Sequence, residues 1–253
     1  MSFFSAFADL VDAIGDVLEP VAGTASTAAA IVLFTAFVRL LVLPLSRAAA
    51  RGQRARTRLA PQVAALRKKH KKNPERLQKA TLELYAAEKV SPFSGILPSL
   101  CQLPAFFLMY HLFASAEIGG APNTLLGHSL FAAPLGGRWK EALADGGVFG
   151  AQGQVYLVLF AVVVAVAVYN YRRTKRQLAA GAALTATSGG GAEAVPGMGA
   201  MTKIMPLMSF MTLFTVGFVP LAAALYVVTS TLWTAVERTF LYREEPAAVP
   251  VPA

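Results

Sequence analysis

The sequence predicts an all-α integral membrane protein with five transmembrane helices, a cytoplasmic helical hairpin and an N-terminal amphipathic interfacial helix. Three observations predict it. The chain of 253 residues is 55% hydrophobic and only 15% charged, with a mean hydropathy of +0.53, too apolar for an ordinary soluble domain. Four predominantly apolar runs, about 24 to 45, 94 to 114, 154 to 171 and 204 to 240, reach the length of roughly 20 residues that a helix needs to cross a bilayer. Finally, the charge of the segments between those runs alternates in sign.

The elements follow in chain order. In 1–20, Phe3, Phe4, Phe7, Leu10, Val11, Ile14 and Leu18 recur at helical spacing with Asp9, Asp12 and Asp16 between them, which suits an amphipathic helix at the membrane interface. The same pattern suits a helix packed on the rest of the protein. This segment lacks the basic start and small-residue cleavage site of a signal peptide, so Met1 is expected to be the mature start. Residues 24–46 form the first transmembrane helix, and 47–92 a basic cytoplasmic helical hairpin whose second arm starts at Asn73-Pro74, an N-cap and first-turn proline. Leu59, Val63 and Leu66 on one arm and Leu77, Leu84 and Ala87 on the other give it a thin apolar seam. The second transmembrane helix is 94–114, an extracytoplasmic loop fills 115–153, and the third transmembrane helix is 154–171. Residues 172–203 read as a flexible basic cytoplasmic loop, with TATSGGG at its centre. The last apolar run is too long for one pass, and Gly217 with Pro220 marks a tight turn. It divides into a fourth transmembrane helix, 204–218, and a fifth, 220–241, ahead of a short cytoplasmic tail, 242–253.

Charge orients these spans. The 47–92 segment carries thirteen basic side chains against three acidic, and 172–203 five against one, whereas the N-terminal segment is net −4 and 115–153 net −1. Basic loops stay in the cytoplasm. The N-terminus is therefore outside and the C-terminus in the cytoplasm.

Arg39 sits inside the first span, eight residues before Arg47 and so about 12 Å deeper. A mid-membrane arginine costs roughly 2.5 to 3.5 kcal/mol on insertion scales, so it is expected to face a water-accessible cavity or a partner. Snorkelling to the interface is the alternative. Apart from Glu237 near the end of the fifth span no acidic residue lies inside a span, and a salt bridge to Glu237 is the less expected arrangement. Gln102 in the second span fits a helix–helix hydrogen bond or a functional group at depth. In the fifth span Thr229, Ser230, Thr231 and Thr234 can each bond their own helix, or line one polar groove together with Arg39. The basic run Arg67, Lys68, Lys69, Lys71 and Lys72 in the hairpin reads as a solvated segment that anionic lipid attracts, or as a collector of nascent chains and ribosomal RNA.

Other classes fit less well. A small multi-span solute transporter or channel predicts paired intramembrane charges or internal repeats, and neither is found in the sequence. His111 and His128 have no Cys, Asp or Glu at catalytic or metal-binding spacing, the single Cys101 lies in an apolar run, and Ser99 has no neighbouring base. The chain reads as no enzyme, with neither metal nor cofactor.

Three blocks carry a family resemblance: LxPQVxxLRKKH in the hairpin, LYAAEKVSPFSGILPSLCQLPAFFLMY across the second span, and KIMPLMSFMTLFTVGFVPLAAALYVVTSTLW at the end. Together with the lone Arg39 they resemble the YidC/Oxa/Alb family of membrane protein insertases over about residues 24 to 242, in the form of its short bacterial members. The resemblance implies a hydrophilic, positively charged groove, open to cytoplasm and lipid and closed outside, with Arg39 as its arginine and Gln102 as its mid-span glutamine. Tyr110, Ser230, Thr231, Trp233 and Thr234 are the other expected groove residues. Implied partners are nascent membrane proteins, with the ribosome, the Sec translocon and anionic lipids beside them. A monomer in the bacterial plasma membrane is the expected working form. Thr231 and Glu237-Arg238 depart from the family's asparagine and glutamine-rich pattern, and the tail after Glu244 is short and not basic.

Overall fold

The computed structural model describes residues 3–70, 73–90, 103, 107–108, 110–187 and 204–241. Most of the expected second span, including Gln102, therefore lies outside the described residues, as do Lys71, Lys72 and the tail 242–253. Within the described chain two runs, Phe4–Lys69 and Ala151–Ala179, are long and apolar enough to cross a membrane, and Met205–Phe218 is a shorter apolar helix.

Helix α1 (Phe3–Ala22) is joined through a 3-10 turn, Gly23–Ala25, to α2 (Ser26–Lys69). Gly23 supplies the positive φ of +52° that reverses the chain. α1 folds back on α2: the Phe7 and Phe34 rings lie 5.9 Å apart, and nearer the turn a Cβ on Gly15 would sit 3.6 Å from Thr27. Ala8 and Val11 are buried by this packing, while Leu10, Val17 and Val21 stay exposed. Part of the apolar stripe of 1–20 is thus covered by α2.

α2 is continuous over 44 residues. The expected boundary between 46 and 47 falls inside it, so the first apolar run and the first arm of the basic hairpin are one element. Ala-, Arg- and Gln-rich sequence sustains a helix through the change of polarity, and neither Pro44 nor Pro61 ends it. The second arm, α3 (Pro74–Ala87), starts as expected: Pro74 occupies the first turn and the Asn73 Oδ1 accepts the Arg76 N–H at 3.0 Å. Leu59 is buried at the seam, and the Arg56 guanidinium stands 5.8 Å from the Tyr85 ring centre.

The 115–153 segment is structured. Two two-residue antiparallel ladders form, Glu117–Ile118 with Ala121–Pro122 and Ser129–Leu130 with Ala133–Pro134. Gly119 and Gly120, both at positive φ, make the first turn, as a two-residue hairpin demands. Buried Asn123 ties this segment to the helix end before it, donating to the Leu112 carbonyl at 2.8 Å and the Ser115 carbonyl at 2.9 Å and accepting the Leu125 N–H at 3.2 Å. A short helix, α4 (Trp139–Ala144), follows.

α5 (Ala151–Thr187) runs well past the expected end at 171. Residues 172–187 are helical where a flexible loop was expected, because RRTKRQLAAGAAL is made largely of good helix formers. The expected fourth span is split into a 3-10 stretch, Met205–Phe210, and α6 (Met211–Phe218). After the turn at Val219-Pro220 comes α7 (Leu221–Leu241). Its first turn is sealed by the 115–153 segment: the Leu221 and Ala222 N–H groups donate to the Gly137 and Leu135 carbonyls, both at 2.9 Å, satisfying donors that a helix leaves open. The Tyr156 hydroxyl also donates to the Gly137 carbonyl at 2.7 Å.

The core gathers at this end. Ile31 and Phe34 of α2, Tyr156 and Val163 of α5, Val216 of α6 and Leu221–Ala224 of α7 are buried together with Leu112, Phe113, Leu125 and Leu135. Small side chains at 222–224 let neighbouring backbones approach closely. Packing then thins with distance from the 115–153 segment: α2 buries no residue between Thr35 and Ala49, and α5 none among the described side chains after Ala167.

Candidate functional site

Arg39 lies where that packing ends. It follows Thr35 by one turn of α2, and Thr35 is the last buried side chain before the gap, its hydroxyl bonded to the Ile31 carbonyl at 2.7 Å. Arg39 is half-buried, and its Nη2 reaches across to α7, donating to the Ser230 carbonyl at 3.0 Å and also to the Ser230 hydroxyl. The two residues are 191 positions apart in the chain.

The Ser230 carbonyl also accepts the Thr234 hydroxyl at 2.8 Å, so one carbonyl serves two donors. That leaves Thr234 bonded to its own helix, and Thr231 likewise bonds back to the Val227 and Val228 carbonyls at 2.9 Å. The two threonines therefore have the local bonding open to any such residue in a helix, while Ser230 is the hydroxyl that meets the arginine. Trp233 is half-buried, and its indole N–H is buried with no hydrogen-bond partner among the described residues. Tyr110 stands 42% exposed. Arg67, Lys68 and Lys69 are exposed at the far end of α2.

Glu237 is the residue that the sequence reading underrated. Among the described residues, Tyr226, Glu237 and Arg238 are ionisable side chains close enough for charge to act on Arg39. A Glu237 carboxylate oxygen is buried with no hydrogen-bond partner among the described residues. The signal was present: Tyr226, Ser230, Trp233 and Glu237 fall at spacings of four, three and four, a single helix face. Tyr226 roots this face in the core, its ring 6.5 Å from Phe113.

Polar contacts also brace the opposite end from the 115–153 segment. The Tyr169 and Thr239 hydroxyls share a hydrogen bond of 2.6 Å, Arg173 donates to Tyr169 at 3.2 Å, and Arg54 donates to the Leu241 carbonyl at 2.5 Å. The last of these puts a cation on the C-terminal end of α7, where carbonyls lack helical partners. The described site is a half-buried cation held by Ser230, with Tyr226 and Glu237 on the same face of α7.

The comparisons with known proteins agree on one family. A family model described as 60Kd inner membrane protein matches residues 17–248. The proteins named Membrane protein insertase YidC from Burkholderia cenocepacia (strain HI2424), Burkholderia ambifaria (strain MC40-6) and Burkholderia mallei (strain SAVP1) are each 40% identical to this chain over 102 residues. That stretch is 40% of this chain and 18% of each relative, so the match spans less than a fifth of the relatives' length.

Proposed function

The chain belongs to the 60Kd inner membrane protein family, the YidC/Oxa/Alb family, and from that premise we propose that it is a membrane protein insertase of the bacterial plasma membrane. In this reading five helices span the bilayer, with the N-terminus outside and the C-terminus in the cytoplasm, and a hydrophilic groove between them opens toward the cytoplasm and lipid. The observation that carries it is the placement of Arg39: a cation on an apolar helix, held by Ser230 at the level where close packing gives way. The sealed core beneath it supports a groove closed toward 115–153.

Arg39 attracts the acidic or polar extracytoplasmic segment of a client, shortening its path through hydrocarbon. The client helix meanwhile moves into lipid along exposed apolar side chains such as Phe107, beside Phe106, which lies outside the described residues. Burial of about 20 apolar residues releases several kcal/mol or more, so no nucleotide is required. Gln102, Tyr110, Thr231, Trp233 and Thr234 complete the groove surface. The basic hairpin, with Arg67 to Lys72, gathers nascent chains, ribosomal RNA or anionic lipid, and the chain works as a monomer with or without the Sec translocon.

The test is insertion of a single-span client bearing an acidic external segment into liposomes that contain only this protein. Wild type and Arg39→Lys insert the client, and Arg39→Ala does not. Equal insertion by all three variants removes the groove mechanism, while no insertion by wild type assigns the chain to a partner-dependent role or to solute transport.

A further inference from the structure

Away from the Arg39 site, at the end of the molecule that carries 115–153, α4, α5 and α6 enclose an apolar cleft of about 650 Å³. Phe160, Leu213 and Phe214 line it with Trp139, Gly217 and Phe218, and Arg138 and Lys140 stand at its edge. Trp139 forms a rigid wall, 5.6 Å from the Tyr156 ring and edge-on to Phe160 at 5.2 Å. A Cβ on Gly217 would meet nothing nearer than Phe160 at 3.9 Å, so glycine leaves the floor open. Phe214 and Phe218, one turn apart, are 63% and 77% exposed.

The charge at this cleft is distinctive. Arg138 and Lys140 are the only Lys or Arg residues in 115–153, a segment otherwise acidic, and both lie beside this one opening. Glu141, the nearest acid in sequence, turns back to accept the Arg138 backbone N–H at 3.0 Å. Between the two cations stands Trp139, a residue type that settles at the boundary of headgroup and acyl chain. Cations at the headgroup level above an aromatic, acyl-sized cleft match an amphiphile with an anionic head and an apolar body. A water-soluble anion has no use for the aromatic walls, and a peptide segment would leave backbone groups unpaired in the cleft.

We infer that this cleft is a binding site for one anionic glycerophospholipid, its phosphate between Arg138 and Lys140 and its upper acyl chains along Trp139, Phe160 and Phe214. The inference rests on the chain being membrane-embedded, and not on insertase activity.

The probe is Trp139 fluorescence. The chain has two tryptophans, so the full-length Trp233→Phe variant reports on Trp139 alone. It is reconstituted into phosphatidylcholine vesicles containing either brominated phosphatidylglycerol or brominated phosphatidylcholine at equal mole fraction. Bromine quenches the indole on contact. The expected result is an apparent preference of about fivefold or more for the anionic lipid, given the attraction of each cation. Arg138→Gln with Lys140→Gln, both on exposed side chains, abolishes the preference, and Gly217→Leu lowers quenching by either lipid. Equal quenching by the two lipids overturns headgroup selection. Absence of quenching by both overturns the lipid site in favour of a protein occupant, whether a segment of this chain or a second copy. Unchanged quenching in Gly217→Leu places the lipid elsewhere and overturns it too. No client is present, so failure of the insertase reading moves none of these outcomes.

Discussion

Replacing Arg39 by alanine separates two roles that its contacts with Ser230 allow, capture of a client and a tie between α2 and α7. The loss side includes the hydrogen bonds from Nη2 to the Ser230 carbonyl and hydroxyl. Bonds to a charged donor are worth about 1.5 to 3 kcal/mol in protein interiors and less where water can replace them. The gain side is relief of the cost of holding a guanidinium within an apolar span, roughly 2.5 to 3.5 kcal/mol. The Ser230 carbonyl is not stranded, because it keeps the Thr234 hydroxyl. Two such bonds total about 3 to 6 kcal/mol before water replaces them, against a relief of about 2.5 to 3.5 kcal/mol, so Arg39→Ala is expected to lower stability by about 2 kcal/mol or less while insertion of an acidic client falls at least about tenfold. Reversible unfolding by SDS in mixed micelles, followed by tryptophan fluorescence, gives the first quantity, and liposome insertion with the same preparations the second. Refutation is a stability loss of about 3 kcal/mol or more with insertion falling only in step with the unfolded fraction. Arg39 would then be a staple.

Other expectations are narrower. Glu237→Gln removes a carboxylate whose field reaches Arg39, so insertion of acidic clients should rise about two- to fivefold and the gain should shrink at high salt; an unchanged rate separates Glu237 from the site. Asn123→Ala removes three hydrogen bonds at a buried position, with an expected stability loss of about 2 to 3 kcal/mol read by the same SDS titration. Gly120→Val forces a β-branched residue to φ +84°, an expected loss of about 1 to 2 kcal/mol, whereas Gly127→Ala, with open space around its Cβ, should be nearly neutral.

How much could be read in advance depended on whether the signal was local. Arg39 stood out because a charge in an apolar run has a definite cost, and Asn73-Pro74 because capping chemistry acts within four residues. The pairing of Arg39 with Ser230 could be guessed only as a shared groove, since nothing local links positions 191 apart. Glu237 was passed over for its place near a helix end, although the face through Tyr226, Ser230 and Trp233 leads to it. The extent of α2 and α5 was missed for another reason: polarity changes at a membrane surface, but backbone hydrogen bonding does not, so the helices continue past the apolar runs. The two-residue ladders in 115–153 are too short to show strand alternation, so only glycine pairs such as Gly119-Gly120 mark their turns in the sequence.

The unbroken course of α2 has a mechanical consequence. Arg39 and the basic arm are fixed to one rod, and Pro44 and Pro61, neither of which can donate to the carbonyl one turn back, are its two joints. Lys69 lies 25 residues beyond Pro44, about 38 Å, and Arg39 five residues before it, about 8 Å. A tilt of about 10° at Pro44 swings the far end by about 7 Å and shifts Arg39 by only about 1 Å. Bending at Pro44 alone thus moves the far end of the arm several times further than the cation near its short end, and the Arg54 contact with the Leu241 carbonyl holds the stretch between them.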